Sequence, residues 1–260
     1  MIAALLAAAA AAASPAQYIQ AHQRADGGFG GVQVTAWATL GLRAAGAPTG
    51  AAVGYLAAHE DELRSATDVE LAVAAEAAAG TPSPSLLARL HAFEHQDGSI
   101  GPLVNSTVWG AIALAQAGET VPAATVRFLL QSQTRAGGWS WIASGAPDSN
   151  DTAAAIEALQ AAGVAGRPIR RGLAFLRGFE QGDGGFELER GRGSDTQSTA
   201  WAIQAFLAAG VRPPSAAYRY LARMRRRDGS LRYSAQSAAT PMWVTAQALP
   251  ALAGKPFPLR

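Results

Sequence analysis

The sequence predicts an all-α fold of six helical hairpins. Three observations carry that expectation. A short frame recurs six times along the chain, with anchors at residues 26, 63, 97, 136, 183 and 228, which lie 37, 34, 39, 47 and 45 residues apart. In each copy a turn, Gly-rich in all but one, separates two segments with helical spacing. A start and a Gly stop eleven residues apart then delimit the second segment. Composition agrees: 49% of the 260 residues are hydrophobic and 15% charged, which excludes a disordered chain.

The first element is not expected to belong to the fold. Met1 to Ala13 is an unbroken apolar run, followed by Ser14-Pro15-Ala16. An apolar stretch ending in small residues reads as a secretory signal peptide over residues 1–16, cut after Ala13 or Ala16, although no Lys or Arg precedes it. The run is too short to span a bilayer, which takes about 20 apolar residues. The expected product is secreted or periplasmic, or cytoplasmic where the leader stays on. Residues 17–260 form one domain.

The repeats follow in order. Tyr18-Ile19 and Gln23 precede Asp26-Gly27-Gly28-Phe29; Thr35 then leads to Gly46 and Pro48. Repeat two keeps Tyr55, Leu56 and Glu60 but has Leu63 in place of the Gly turn, and Val69 leads to Gly80 and Pro82. Repeat three has Leu90, Glu94 and Asp97-Gly98-Ser99-Ile100, then Thr107 to Gly118 and Pro122. Repeat four has Phe128-Leu129, Gln133 and Gly137-Gly138-Trp139, then Thr152 to Gly163 and Pro168. Repeat five has Phe175-Leu176, Glu180 and Asp183-Gly184-Gly185-Phe186, then Thr199 to Gly210 and Pro213. Repeat six has Tyr220-Leu221, Arg225 and Asp228-Gly229-Ser230-Leu231, then Trp243 to Gly254. The second helices stop at Gly and are followed by Pro in most repeats, ordinary termination signals. They are also the more uniformly apolar, so they belong inside. An open solenoid needs polar end caps. The last repeat is as apolar as the middle ones, through Met242, Trp243, Val244 and Leu249, which favours a closed ring.

The frame aromatic-aliphatic-x-x-x-Gln, then Gly-x-Trp or Gly-x-Phe, resembles the repeat of squalene and terpenoid cyclases and of protein prenyltransferase β-subunits. Phe128-Leu129 with Gln133 and Gly137-Gly138-Trp139 matches best, then Tyr18-Ile19 with Gln23 and Gly27-Gly28-Phe29. The resemblance covers nearly all of the chain after the leader. It implies an (α/α)6 toroid with the second helix of each pair inside. It does not fix a function, since fold alone does not choose one.

Pro147-Asp148-Ser149-Asn150-Asp151-Thr152-Ala153 looks like the Asp-x-Asp-Asp-Thr-Ala motif of squalene–hopene and class II diterpene cyclases. In that family the middle Asp protonates the substrate and its neighbours assist. Here the middle position is Asn150, and an amide cannot act as that acid. Capping of an inner helix by Asn150 or Asp151 is the expected role, as is a capping box at Thr67-x-x-Glu70. The prenyltransferase zinc site implied by the resemblance needs a Cys, and the chain has none. His91-x-x-Glu94-His95 matches a zinc pattern, but Glu94 falls on the recurring Gln/Glu position, so no metal and no cofactor is expected. Trp37, Trp109 and Trp201 recur two residues after an anchor Thr, and Trp243 sits at the sixth anchor. They are candidate ligand-binding aromatics at one level of the ring, and Trp139 and Trp141, in a long loop, are candidates as well.

Long connections precede the second helices and short ones follow them, so one mouth is loop-rich. Helix N-termini, with free N–H groups, open there. Gln33, Thr67, Asp68, Asn105, Ser106, Asn150, Asp151, Asp195, Gln197 and Ser198 collect at it. The expected protein is a monomeric, non-catalytic scaffold that binds a small apolar molecule or a protein at this mouth, with ligand contacts from the Trp set, Asn150, Asp151 and Asp195. The net charge of +2 leaves no concentrated basic face for nucleic acid. A squalene-type cyclase is the alternative. A glycan-processing enzyme is a further one, with Asp148, Asp151, Asp195 and Glu157 as its candidate carboxyls.

Overall fold

The computed structural model describes residues 12–80 and 82–259. Their order is α1 (Pro15–Ala21), α2 (Val32–Ala44), α3 (Gly50–Ala58), α4 (Ala66–Ala78), α5 (Pro84–His91), α6 (Val104–Gln116), α7 (Ala123–Gln131), α8 (Ser149–Ala161), α9 (Arg167–Arg177), α10 (Thr196–Ala208), α11 (Ser215–Met224) and α12 (Pro241–Ala253). A 3-10 turn at Glu60–Glu62 follows α3. The even-numbered helices are the inner ring. Each is 13 residues long, about 20 Å at 1.5 Å per residue, and nearly all of each is buried. Each packs on the inner helices before and after it, and α12 packs on α2, so the ring is closed. Among the described residues there is no strand, only isolated antiparallel bridges in the turns.

The repeat frame has a physical basis at each of its positions. The first Gly of each turn runs against the next repeat's outer helix. A Cβ at Gly229 would lie 2.5 Å from the Ser14 carbonyl oxygen, and one at Gly98 would meet Ala124 backbone. Both have positive φ, 89° and 92°, a conformation that Gly adopts without steric cost. The second Gly carries the aromatic of the following repeat, as Gly28 does Tyr55, Gly138 does Phe175 and Gly185 does Tyr220. Gln23 and Gln133 brace the turn by donating to the Gly27 and Gly137 carbonyls. The residue after the turn then donates its backbone N–H to the anchor Thr: Phe29 to Thr35, Ile100 to Thr107, Trp139 to Thr152, Phe186 to Thr199 and Leu231 to Thr245.

That last bond corrects the sixth repeat. Its anchor is Thr245, and Trp243 lies two residues earlier, half-buried at the mouth. The inner-helix caps also differ from expectation. Asp148 caps α8, while Asn150 and Asp151 lie in its first turn. Ser65 and Asp68 form the capping box of α4 in place of Thr67 and Glu70. Asp195 caps α10.

Most of the expected leader, residues 1–11, lies outside the described residues. Its end does not: Ser14 caps α1, and Ala16 packs against the core inside that helix. A cut after Ala13 keeps the cap; one after Ala16 removes it. No described helix is long and apolar enough to cross a membrane.

Candidate functional site

The inner helices start at the loop-rich mouth, and their axis-facing positions recur at helical spacing. On α2, α6 and α10 the order inward is Gln33, Trp37, Leu40; Asn105, Trp109, Ile112; Gln197, Trp201, Gln204. On α8 it is Asn150, Ala154, Glu157. Polar side chains form the outermost layer, and three pairs tie neighbouring helices together there. Gln33 donates to Asp68 at 2.6 Å, Asn105 donates to Asp151 at 2.7 Å, and Gln197 donates to Gln247 at 2.6 Å.

One turn deeper the axis is closed by tryptophan. Trp37, Trp109 and Trp201 come from alternate inner helices and meet edge-to-face, with centroids 5.1, 5.4 and 5.9 Å apart. Such T-shaped contacts are the favourable arrangement for aromatic quadrupoles. Trp243 flanks Trp37 at 6.1 Å. Phe257 lies against all three, at 6.4, 5.8 and 6.0 Å. It comes from the C-terminal tail, which enters the ring from the face opposite the mouth.

The other two tryptophans lie elsewhere. Trp139 is fully buried between the rings, donating its indole N–H to the Leu129 carbonyl. It is the fourth repeat's version of Phe29, Ile100, Phe186 and Leu231, so its role is packing. Trp141 is 51% exposed and Ile142 50%. They ride on the loop over the mouth, where the Trp141 carbonyl accepts the Asn105 backbone N–H. Asp195 is drawn away from the axis. Its carboxyl accepts the Ser198 N–H and hydroxyl, and it lines a polar groove of about 670 Å³ with Asp183, Arg192, Tyr220 and Tyr233.

The mouth concentrates carboxyl chemistry in one place. Asp148 accepts the Asp151 N–H at 2.8 Å, which brings the two carboxyls together, close enough for one to bond the other when it is protonated. Burial first, then the Asp148 charge and that bond, push Asp151 up to about 8, against the opposing Asn105 bond. Burial raises Asp148 as well. Two carboxylates in contact cannot both ionise cheaply, so near neutral pH the pair holds a proton. Asp68 is the contrast. Burial opposes its ionisation, but bonds from Gln33, Ser65 and the Arg64 N–H outweigh it and hold the group below the usual range. Two further buried carboxyls are Glu70 on α4 and Glu157 on α8, both pushed well above the usual range, chiefly by burial. Sequence reading placed neither as an interior acid. Their signal was an acidic residue set within the apolar stretch of an Ala-rich helix.

The zinc pattern is not assembled. The His91 ring nitrogens pair with Glu94 at 2.7 Å and Glu119 at 3.0 Å. Among the described residues no three ligating side chains converge on one point. The contact between Asp148 and Asp151 also removes them as an inverting hydrolase pair, which needs about 6.5–9.5 Å between carboxyls.

With this geometry in view, known structures give a consistent answer. The type II terpene cyclase MstE from Scytonema superposes with a TM-score of 0.72 at 16% identity, covering 92% of this chain and 95% of that one. The fold is the α/α toroid of terpenoid cyclases. A protein from Actinoplanes matches this toroid at TM-score 0.69 and 18% identity, over 92% of this chain and 97% of that one. Protein geranylgeranyltransferase-I from Candida albicans shares it more loosely, at TM-score 0.58 and 15% identity over 72% of this chain and 66% of that one. No family model and no curated protein matches the chain.

Proposed function

We propose that this chain is a terpenoid-cyclase-like protein that takes an isoprenoid-type molecule at the mouth of its toroid, with the Asp148–Asp151 pair as proton donor. The observation that carries the reading is the Asp148–Asp151 pair at the mouth, joined through the Asp151 N–H with Asp151 buried, where burial and the neighbouring charge favour the protonated form of Asp151. It is held beside Asn105 on a mouth whose floor is Trp37, Trp109 and Trp201. Proton transfer to an alkene carbon would leave a carbocation on the substrate and one more negative charge on the pair. Aromatic faces stabilise such a cation. A carboxyl of raised pKa is a weak acid, so this stabilisation has to supply most of the driving force.

MstE has been solved with geranylgeranyl dihydroxybenzoate as substrate, which makes that compound the probe for the test. Wild-type protein should convert it to a cyclic product, and Asp151→Asn and Asp148→Asn should each lower the rate at least about a hundredfold. Equal yields from wild type and both variants, or no product from any of them, overturn the reading.

A second reading is binding without turnover, the role expected from the sequence. Asn150 favours it, because the amide stands where the resembling cyclases carry their acid. The closed Trp layer favours it too. Under this reading the probe changes Trp fluorescence but stays unconverted, and Asn150→Asp introduces product formation.

A further inference from the structure

The C-terminal tail starts as a repeat connection and then departs from it. At the ends of α2, α6, α8 and α10 the second residue past the cap donates its N–H to a carbonyl five residues back: Ala47 to Leu42, Glu119 to Leu114, Val164 to Leu159 and Val211 to Phe206. Lys255 does the same to Pro250, and Gly254-Lys255-Pro256 parallels Gly46-Ala47-Pro48. The earlier connections lead to outer helices. This one turns into the ring and places Phe257 beneath the Trp layer.

What holds the tail there is side-chain recognition of its backbone and packing of Phe257. Its ring sits against Trp37, Trp109 and Trp201. The Phe257 N–H donates to Glu157 Oε2 at 2.6 Å. Gln116 reads Leu259 from both sides, accepting its N–H at 2.5 Å and donating to its carbonyl at 3.1 Å. The tail nevertheless leaves the site incomplete. Among the described residues, nothing pairs with the buried Glu157 Oε1, Gln204 Oε1 and Trp37 Nε1. Glu157 and Gln204 occupy the same level on the adjacent helices α8 and α10, and both residues are fully buried. Each such unpaired group bears the cost of its lost hydration without a hydrogen bond in return.

We infer that the space beneath the Trp layer is a binding chamber for an apolar chain bearing one hydroxyl, and that residues 257–259 occupy it in place of that ligand. The Trp faces take the hydrocarbon. The hydroxyl accepts from the neutral Glu157 carboxyl at Oε1 or donates to Gln204 Oε1, the two atoms that the tail leaves bare. Entry requires the tail to leave, so ligand and tail compete for one volume. The inference goes beyond the proton-transfer reading and does not depend on it, because it concerns binding.

Farnesol is the probe, on the full-length chain. Hydrogen exchange of the Phe257 and Leu259 amides in wild type should speed up at least tenfold at saturating farnesol, because displacement frees both N–H groups. Gln116→Ala weakens the tail's anchor without touching the Trp faces, and should tighten farnesol binding at least tenfold by Trp fluorescence. Phe257→Ala should do the same, with helical circular dichroism as the check on folding. Tail amides that stay as protected, or become more so, overturn the inference even where a variant fails to fold. So does equal affinity in wild type and folded variants. Farnesol binding with tail release but no cyclic product from geranylgeranyl dihydroxybenzoate sinks the proton-transfer reading alone. Product without tail release sinks this one alone.

Discussion

Asp151 links the chemistry of the mouth to the stability of the molecule. An unfolded Asp titrates near its ordinary value of about 3.9, whereas the folded group is raised to about 8. Between those values the folded state holds a proton that the unfolded state has released. Stability therefore falls as pH rises across that window. In Asp151→Asn the slope from this group is gone. The variant should match or fall below wild type near pH 4 and exceed it by a few degrees in Tm at pH 8.5, as read by thermal unfolding at both values; a parallel shift at both pH values contradicts the assignment. At this scale the sequence was uneven as a guide. Trp37, Trp109 and Trp201 were legible as a set because they hold one register in three repeats. Trp139 was misjudged as a ligand contact, although its place after Gly137-Gly138 equates it with the packing residues Phe29 and Phe186. Phe257 was invisible, because it lies past the last repeat, where no register constrains it.

The turns between helices explain why Gly recurs where it does, and they separate two costs of replacing it. Gly229 and Gly118 both have positive φ, 89° and 81°. A Cβ on Gly118 meets nothing within 4 Å, while one on Gly229 lies 2.5 Å from the Ser14 carbonyl oxygen. Gly118→Ala should cost about 1 kcal/mol, the strain of a non-Gly residue in that region. Gly229→Ala adds a backbone collision and should cost about 2 kcal/mol more. Urea unfolding of the two variants checks this, and equal losses would mean that the seam yields freely. Element order and type were readable because each position of the frame does a job in most copies. The caps were not. Asp148, Asn150 and Asp151 all cap well by type, and only backbone conformation decides which of them sits half outside the helix.

Ring closure sets how the whole molecule behaves. In an open array the end repeats have one neighbour and fray first. Here α2 and α12 bury each other as the other inner helices do, so no repeat is terminal in space. Heat or urea should therefore melt the protein in a single transition, with Trp fluorescence and helical circular dichroism coinciding; two separated transitions would mean that the α2–α12 seam opens ahead of the rest. Gly229 against Ser14 repeats at that seam the contact that Gly98 makes with Ala124 inside the chain. The molecule thus has a cyclic order, and its numbering has an arbitrary origin. A circular permutant that begins at Pro122, with Gly254 joined through a short linker to Ala12, should keep the inter-repeat contacts of the seam, including Arg225 to the Ala12 and Ala13 carbonyls. It would lose the inward tail, which leaves a toroid whose far end, opposite the mouth, stands open.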